Sequence, residues 1–143
     1  MMETVKNKTI TIETTVKAPI AKVWSYWTEP SHITKWYFAS DDWHAPYAEN
    51  DLKVKGKFKT KMALKNGSTG FDFEGVYTKI ILHNVIEYII PDGRNVVITF
   101  SDHGDETNVV ESFAPENENP PEMQKRGWQS ILDNFKKYAE SIY

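Results

Sequence analysis

Few side chains in this sequence are spaced for chemistry, and the best placed of them is Glu111. It lies in Thr107–Phe113, where Thr107, Val109, Glu111 and Phe113 share one face of a strand and Asn108, Val110 and Ser112 share the other. Val109 and Phe113 make better core residues than Val110 and Ser112, so parity turns Glu111 inward with them. A carboxyl facing an apolar interior has its pKa raised by desolvation and can serve as acid, base or ligand anchor. The competing reading leaves the glutamate outside, or satisfied by a neighbouring tyrosine.

Other chemistry finds little support. The four histidines, His32, His44, His83 and His103, are scattered at no ligand spacing. His44 beside Asp41 and Asp42 is a weak candidate for a metal site, since acids in loops are ordinarily just solvated. No metal and no cofactor is therefore expected. There is no G-x-S-x-G, P-loop, G-x-G-x-x-G or H-E-x-x-H pattern. The chain has no cysteine, which excludes disulfides, thiolate metal ligands and thiol catalysis.

The elements that must position Glu111 can be read in order. Thr9–Val16 alternates Ile10, Ile12, Thr14 and Val16 with Thr11, Glu13 and Thr15, a strand rich in β-branched residues. Pro19 opens a short helix over Ala21–Trp27, carrying Val23, Trp24 and Trp27, and Thr28-Glu29-Pro30 ends it. A second short helix starts near Ser31 with Ile33, Trp36 and Tyr37. Both are too short to persist alone and must dock through their tryptophans. The stretch 38–50 reads as an irregular connection holding Trp43 and His44, where Trp43 is either a lid at a cavity mouth or a plug in the core.

The cleanest pattern is Asp51–Lys65. Leu52, Val54, Gly56, Phe58, Thr60, Met62 and Leu64 alternate with a comb of lysines broken only by Ala63. Asn66-Gly67 is a two-residue hairpin signal. It sets Lys61 opposite Asp72 and Lys59 opposite Glu74, with Phe73 across from Thr60 and Phe71 across from Met62 on the inner face. The lysine comb reads either as an anion-binding surface or as a solvated face neutralised by the next strand. No aromatics interleave with it, as a single-strand stacking platform requires.

Strands follow at Asn84–Ile90, Asn95–Ser101 and Thr107–Phe113, joined by the turn-rich Pro91-Asp92-Gly93 and Asp102–Glu106. Tyr88 points inward with Ile86 and Ile90, and Val96, Ile98 and Phe100 form the next inner set. The chain closes with an amphipathic helix from Pro120 to about Ile142. Met123, Gly127/Trp128, Ile131, Phe135, Tyr138/Ala139 and Ile142 form its apolar stripe, and Gln124, Lys125, Gln129 and the later charges lie largely opposite. One long helix after a run of strands needs a sheet to lie across, and the two together can enclose a cavity.

These residues, in this order, resemble the START-like (SRPBCC) helix-grip proteins, in particular the group similar to the activator of the heat-shock protein 90 ATPase. The resemblance runs through Ala18-Pro19, Val23-Trp24, Trp27-Thr28-Glu29-Pro30, Ile33 and Trp36. It continues with Gly56-Lys57-Phe58, Gly75-x-Tyr77 and a threonine-led last strand at Thr107, and ends in Gly127-Trp128, Leu132, Phe135 and Tyr138. Trp43-His44-Ala45-Pro46 and Gly70-Phe71-Asp72-Phe73 look like one bacterial branch of that group, and Lys55 stands where such relatives often have a second glycine. The resemblance implies a single α+β domain over residues 1–143, a curved antiparallel sheet wrapped around a long C-terminal helix with two short helices near the N-terminus.

Function is less determined. Such proteins include apolar-ligand carriers, polyketide cyclases and co-chaperones, and fold alone does not choose among them. The favoured expectation is a domain binding an apolar or amphipathic small molecule between sheet and helix. Phe58, Met62, Phe73, Tyr88, Phe100 and Trp128 are expected to line the space, reached past Trp36 and Trp43, with His44, Glu111 and Ile131 completing the set. The alternatives are a cavity enzyme of cyclase, dehydratase or hydrolase type using Glu111 as its catalytic group, and a protein-binding module with a chaperone or homodimer contact. A net charge of −3 argues against nucleic acid. No segment approaches the roughly 20 apolar residues of a membrane span, and the N-terminus lacks an apolar leader core, so a cytoplasmic location is expected. The sequons at Asn7 and Asn66 then read as chance matches.

Overall fold

A computed structural model describes residues 9–143; the Asn7 sequon and the rest of the first eight residues lie outside the described residues. The elements run β1 (Ile10–Val16), α1 (Ile20–Thr28), α2 (Pro30–Ile33), β2 (Trp43–Asn50), β3 (Lys57–Leu64), β4 (Gly70–Ile81), β5 (Val85–Ile89), β6 (Asn95–His103), β7 (Glu106–Phe113) and α3 (Pro121–Ile142). All seven strands form one antiparallel sheet in the order β1-β7-β6-β5-β4-β3-β2. Successive strands are neighbours except that β1 closes against β7. The helices α1 and α3 cover the inner face.

Period-two patterning decides which residues that face receives. In β6, Val96, Ile98 and Phe100 are buried, and in β7 Thr107, Val109, Glu111 and Phe113 are buried together. The β3–β4 hairpin has the register expected from Asn66-Gly67: Lys59 faces Glu74, Thr60 faces Phe73, Lys61 faces Asp72 and Met62 faces Phe71. Glu49 of β2 flanks Lys59 on its other side. The comb is thus interleaved with acids and solvated.

Three expectations need correction. The stretch 38–50 is not wholly irregular, because Trp43–Asn50 pairs with β3 as the edge strand β2. Its register shifts between His44 and Tyr47, so Pro46 falls in the irregularity, where a missing N–H does no harm. That proline, with two alanines nearby, hid the strand.

The strand expected from Asp51 begins only at Lys57. Gly56 packs so tightly that a Cβ there would lie 2.0 Å from the Asp51 carbonyl oxygen, and Lys55 adopts φ 73°, a left-handed conformation glycine takes freely. The Lys55 N–H donates to the Tyr77 carbonyl at 2.8 Å, so this turn is anchored to β4.

In α3, Met123 and Ile142 are exposed and do not belong to the buried stripe, whereas Gln124 is buried. Its amide accepts from the Glu116 N–H at 2.9 Å and donates to the Asn119 carbonyl at 2.7 Å. A buried polar group is tolerated when so satisfied, and here it ties down the loop that leads into the helix.

Candidate functional site

The inner face is not uniformly filled. Towards the C-terminal end of α3, Leu132, Phe135 and Ala139 are fully buried. Phe135 meets Trp36 and Trp27 edge-to-face, with ring centroids 4.7 and 4.8 Å apart. Towards its N-terminal end, helix and sheet part to leave a cleft of about 450 Å³.

Each side of the cleft follows from a local pattern. Its floor is Glu111 of β7, Phe73 of β4 and Met62 of β3, all at inward positions of their strands. Its roof is Gly127, Trp128 and Ile131 of α3. Trp36 and Tyr37 form the inner wall, while Trp43, Phe71 and the segment 38–40 edge the mouth. Trp128 stacks on Phe113 at 3.8 Å and meets Phe73 edge-to-face at 5.9 Å, which holds the roof on the floor. Tyr37 stacks on the other side of the floor, 5.9 Å from Phe73.

Gly127 sits in the helix interior, where glycine costs roughly 0.5–1 kcal/mol relative to alanine. A Cβ built there meets nothing within 4 Å. Packing does not demand this glycine; its effect is to keep the cleft open beneath the helix.

Glu111 is the polar centre of the site. In the sheet it lies between Ile12 of β1 and Ile98 of β6, and it is 5% exposed. Burial raises its carboxyl from the ordinary 4.5 to about 8, and no hydrogen bond or positive charge among the described residues opposes the shift. Desolvation alone therefore keeps this acid largely protonated near neutral pH.

Two phenols, Tyr37 and Tyr88, stand near it, and a third, Tyr77, stands by those two. Burial pushes Tyr37 and Tyr88 well above the ordinary phenol value, and the Glu111 charge pushes both further. Tyr77 is also raised by burial, and its hydroxyl donates to Asn50 Oδ1 at 2.6 Å. None of the three offers Glu111 a base.

The residues expected at the site divide accordingly. Trp36, Trp43, Met62, Phe73, Glu111, Trp128 and Ile131 are brought together on the cleft. Phe58 and Tyr88 instead line a gap of about 30 Å³ behind Tyr37, room for a water or two. Phe100 lies outside the cleft, packed between Trp24 and Trp27, because the short helix α1 covers that part of β6. His44 is not on the cleft either; it neighbours Trp43 on a strand, and alternation sends it to the opposite face.

Sequence reasoning missed Tyr37, Phe71, Gly127, Arg94 and Glu116 as cleft residues. Phe71 and Gly127 had visible signals, in strand parity and in a glycine inside a helix. Arg94 and Glu116 come from two connections joined only in space: Arg94 Nη1 donates to the Ala114 carbonyl at 2.6 Å and Nε to Asp92 at 2.8 Å. Among the described residues, no three His, Asp or Glu side chains cluster as a metal site, and no helix is long and apolar enough to cross a membrane.

A curled antiparallel sheet closed around one long C-terminal helix, with an aromatic cleft between them, defines a helix-grip domain. The chain belongs to the family described as Activator of Hsp90 ATPase homolog 1-like protein, whose model matches residues 17–140, and so to the START-like superfamily. A solution structure of an AHSA1-like protein from Aeromonas hydrophila is 40% identical, with a TM-score of 0.89 over 94% of this chain and 93% of that one. A solution structure from Cytophaga hutchinsonii is 57% identical, with a TM-score of 0.79 over 92% of each chain. A Staphylococcus aureus protein of unknown function shares the fold at 18% identity and a TM-score of 0.67. No curated protein matches the sequence. The family supports a ligand-binding helix-grip domain in general terms.

Proposed function

We propose that the protein binds one apolar or amphipathic small molecule in the cleft between the sheet and the N-terminal half of α3. The observation that carries this reading is a buried carboxyl, Glu111, with no partner among the described residues, opening onto an aromatic space of about 450 Å³. That volume falls within the roughly 300–1,000 Å³ of small-molecule sites, which combine apolar walls with a few placed polar groups. In this reading Trp36, Met62, Phe73, Trp128 and Ile131 supply area, Glu111 fixes orientation, and Trp43 and Phe71 guard entry. Its place is the cytoplasm, compatible with a chain that carries no cysteine.

A second reading, a cavity enzyme, is supported by the same residue. An acid with a pKa of about 8 is well poised to exchange protons near neutral pH. The protein-binding alternative draws less support, since Lys59 and Lys61 of β3 already face acids across the sheet.

An environment-sensitive apolar dye tests the first reading. It should bind the native protein at about one per chain, and Phe71→Ala and Trp43→Ala should weaken or slow that binding while leaving the fold intact. Dye binding that appears only on partial denaturation would remove the ligand reading. Turnover of any supplied substrate that is lost in Glu111→Gln would favour the enzyme.

A further inference from the structure

We propose that the ligand of this cleft is an amine, a protonated ammonium carried on an aromatic or branched apolar body and paired with Glu111. The inference rests on the ligand-binding reading above and narrows it to a chemical class.

It begins from the charged side chains on the cleft. Arg94 is the basic one, and its guanidinium is already committed to the Asp92 carboxylate and the Ala114 carbonyl. Glu116 is held too: its oxygens accept from the Glu118 and Asn119 N–H groups at 2.8 Å and from Asn119 Nδ2 at 2.9 Å. Among the described residues, Glu111 has no hydrogen-bond or ion-pair partner. An anionic ligand would enter a space with two carboxyl groups and an arginine already paired. A neutral ligand would satisfy Glu111 with one hydrogen bond and gain only area from the rings. A cation uses both features, because a charge-assisted bond to the carboxylate adds to the apolar contact its body makes with the aromatic lining.

The proton balance is explicit. Near neutral pH the resting site holds Glu111 as the neutral acid, so an arriving ammonium forms the ion pair and one proton leaves to solvent. The groups facing Glu111 do not intercept it: Tyr37 from the connection after α2 and Tyr88 from β5 are phenols raised by burial, as is Tyr77 of β4 beside them. At the rim, the backbone and side-chain bonds from Asn119 hold Glu116 below its ordinary value. Ionising Glu111 at pH 7 costs about one pKa unit, a factor of ten that the new pair must exceed.

Titration calorimetry with 3-phenylpropylamine, 3-phenylpropanol and 3-phenylpropanoate, which share one apolar body, tests the proposal. At pH 7 the amine should bind at least about tenfold tighter than the alcohol, and the acid should bind most weakly. Repeating the amine titration in two buffers of different ionisation enthalpy should report about one proton released per ligand bound. Glu111→Gln should bring the amine to the level of the alcohol and abolish the release. The proton count on the wild-type protein stands even if that variant folds poorly. Alcohol or acid binding as tightly as the amine, or amine binding with no proton released, overturns the amine assignment. If the apolar dye still binds in that case, the cleft reading survives; if neither dye nor any of the three binds, both fail.

Discussion

The two halves of α3 lie on the same sheet yet do opposite things with it. The C-terminal half seals: Leu132, Phe135 and Ala139 are fully buried, and Lys136 Nζ reaches the Thr15 carbonyl at 2.7 Å and Glu140 at 2.6 Å. Glu140 also accepts from the Lys17 N–H at 2.8 Å, so this half is latched to β1 and the turn after it. The N-terminal half holds apart, with Gly127 contributing no side chain and Trp128 stacked on Phe113 at the cleft's side. Stability and binding are thus assigned to different turns of one helix. A site can keep a glycine and a buried acid when close packing a few residues away compensates.

The contrast is most easily broken at Phe135. Phe135→Ala should cost about 3–5 kcal/mol in a denaturant titration, because its ring fills space between Trp27 and Trp36 that neighbours cannot close. A loss below about 1 kcal/mol would mean the sealed half is not what holds the helix.

Glu111 gives an effect of comparable size, spread over a range of pH. The folded protein prefers the protonated acid, so its contribution is complete below about 4.5, declines as pH rises towards about 8, and is gone above that. The slope in that window is about 1.4 kcal/mol per pH unit. Glu111→Gln should lack this slope, equalling or exceeding the wild type in stability at pH 8 and losing ground to it towards pH 4.5. Parallel stability curves for the two proteins would place the carboxyl in solvent.

The smallest effect sharpens the comparison most. Gly127→Ala should stabilise the helix by roughly 0.5–1 kcal/mol, since the added methyl meets no atom. Gly127→Leu should remain folded but reduce dye binding, because its side chain projects into the cleft. A destabilised alanine variant would show that the space beneath Gly127 is closed.

Much of this was legible in the sequence where one period governs both local structure and burial. The β3–β4 register followed from Asn66-Gly67 and the charge pattern, and the inward turn of Glu111 followed from preferring Val109 and Phe113 as core. The grip of the closing helix was readable from Phe135 and its neighbours. What was not legible depended on tertiary partners. β2 was hidden by Pro46, which only an irregular edge strand tolerates. Phe100 looked like any inward aromatic until α1 was seen to cover it. Arg94 and Glu116 reach the cleft because two connections far apart in sequence meet there.

The sheet's order also shapes how the chain can fold. Among the described residues β1 finds its neighbour only in β7, with Thr11 and Ser112 hydrogen-bonded although 101 residues apart in sequence. Pairings of such long range make folding slow, because loop-closure entropy is lost before the contacts form. During synthesis the first strand must wait with both edges unpaired until nearly all of the sheet has emerged, a state exposed to wrong partners. The closing helix arrives later still, so the cleft can be completed only after every other element is in place.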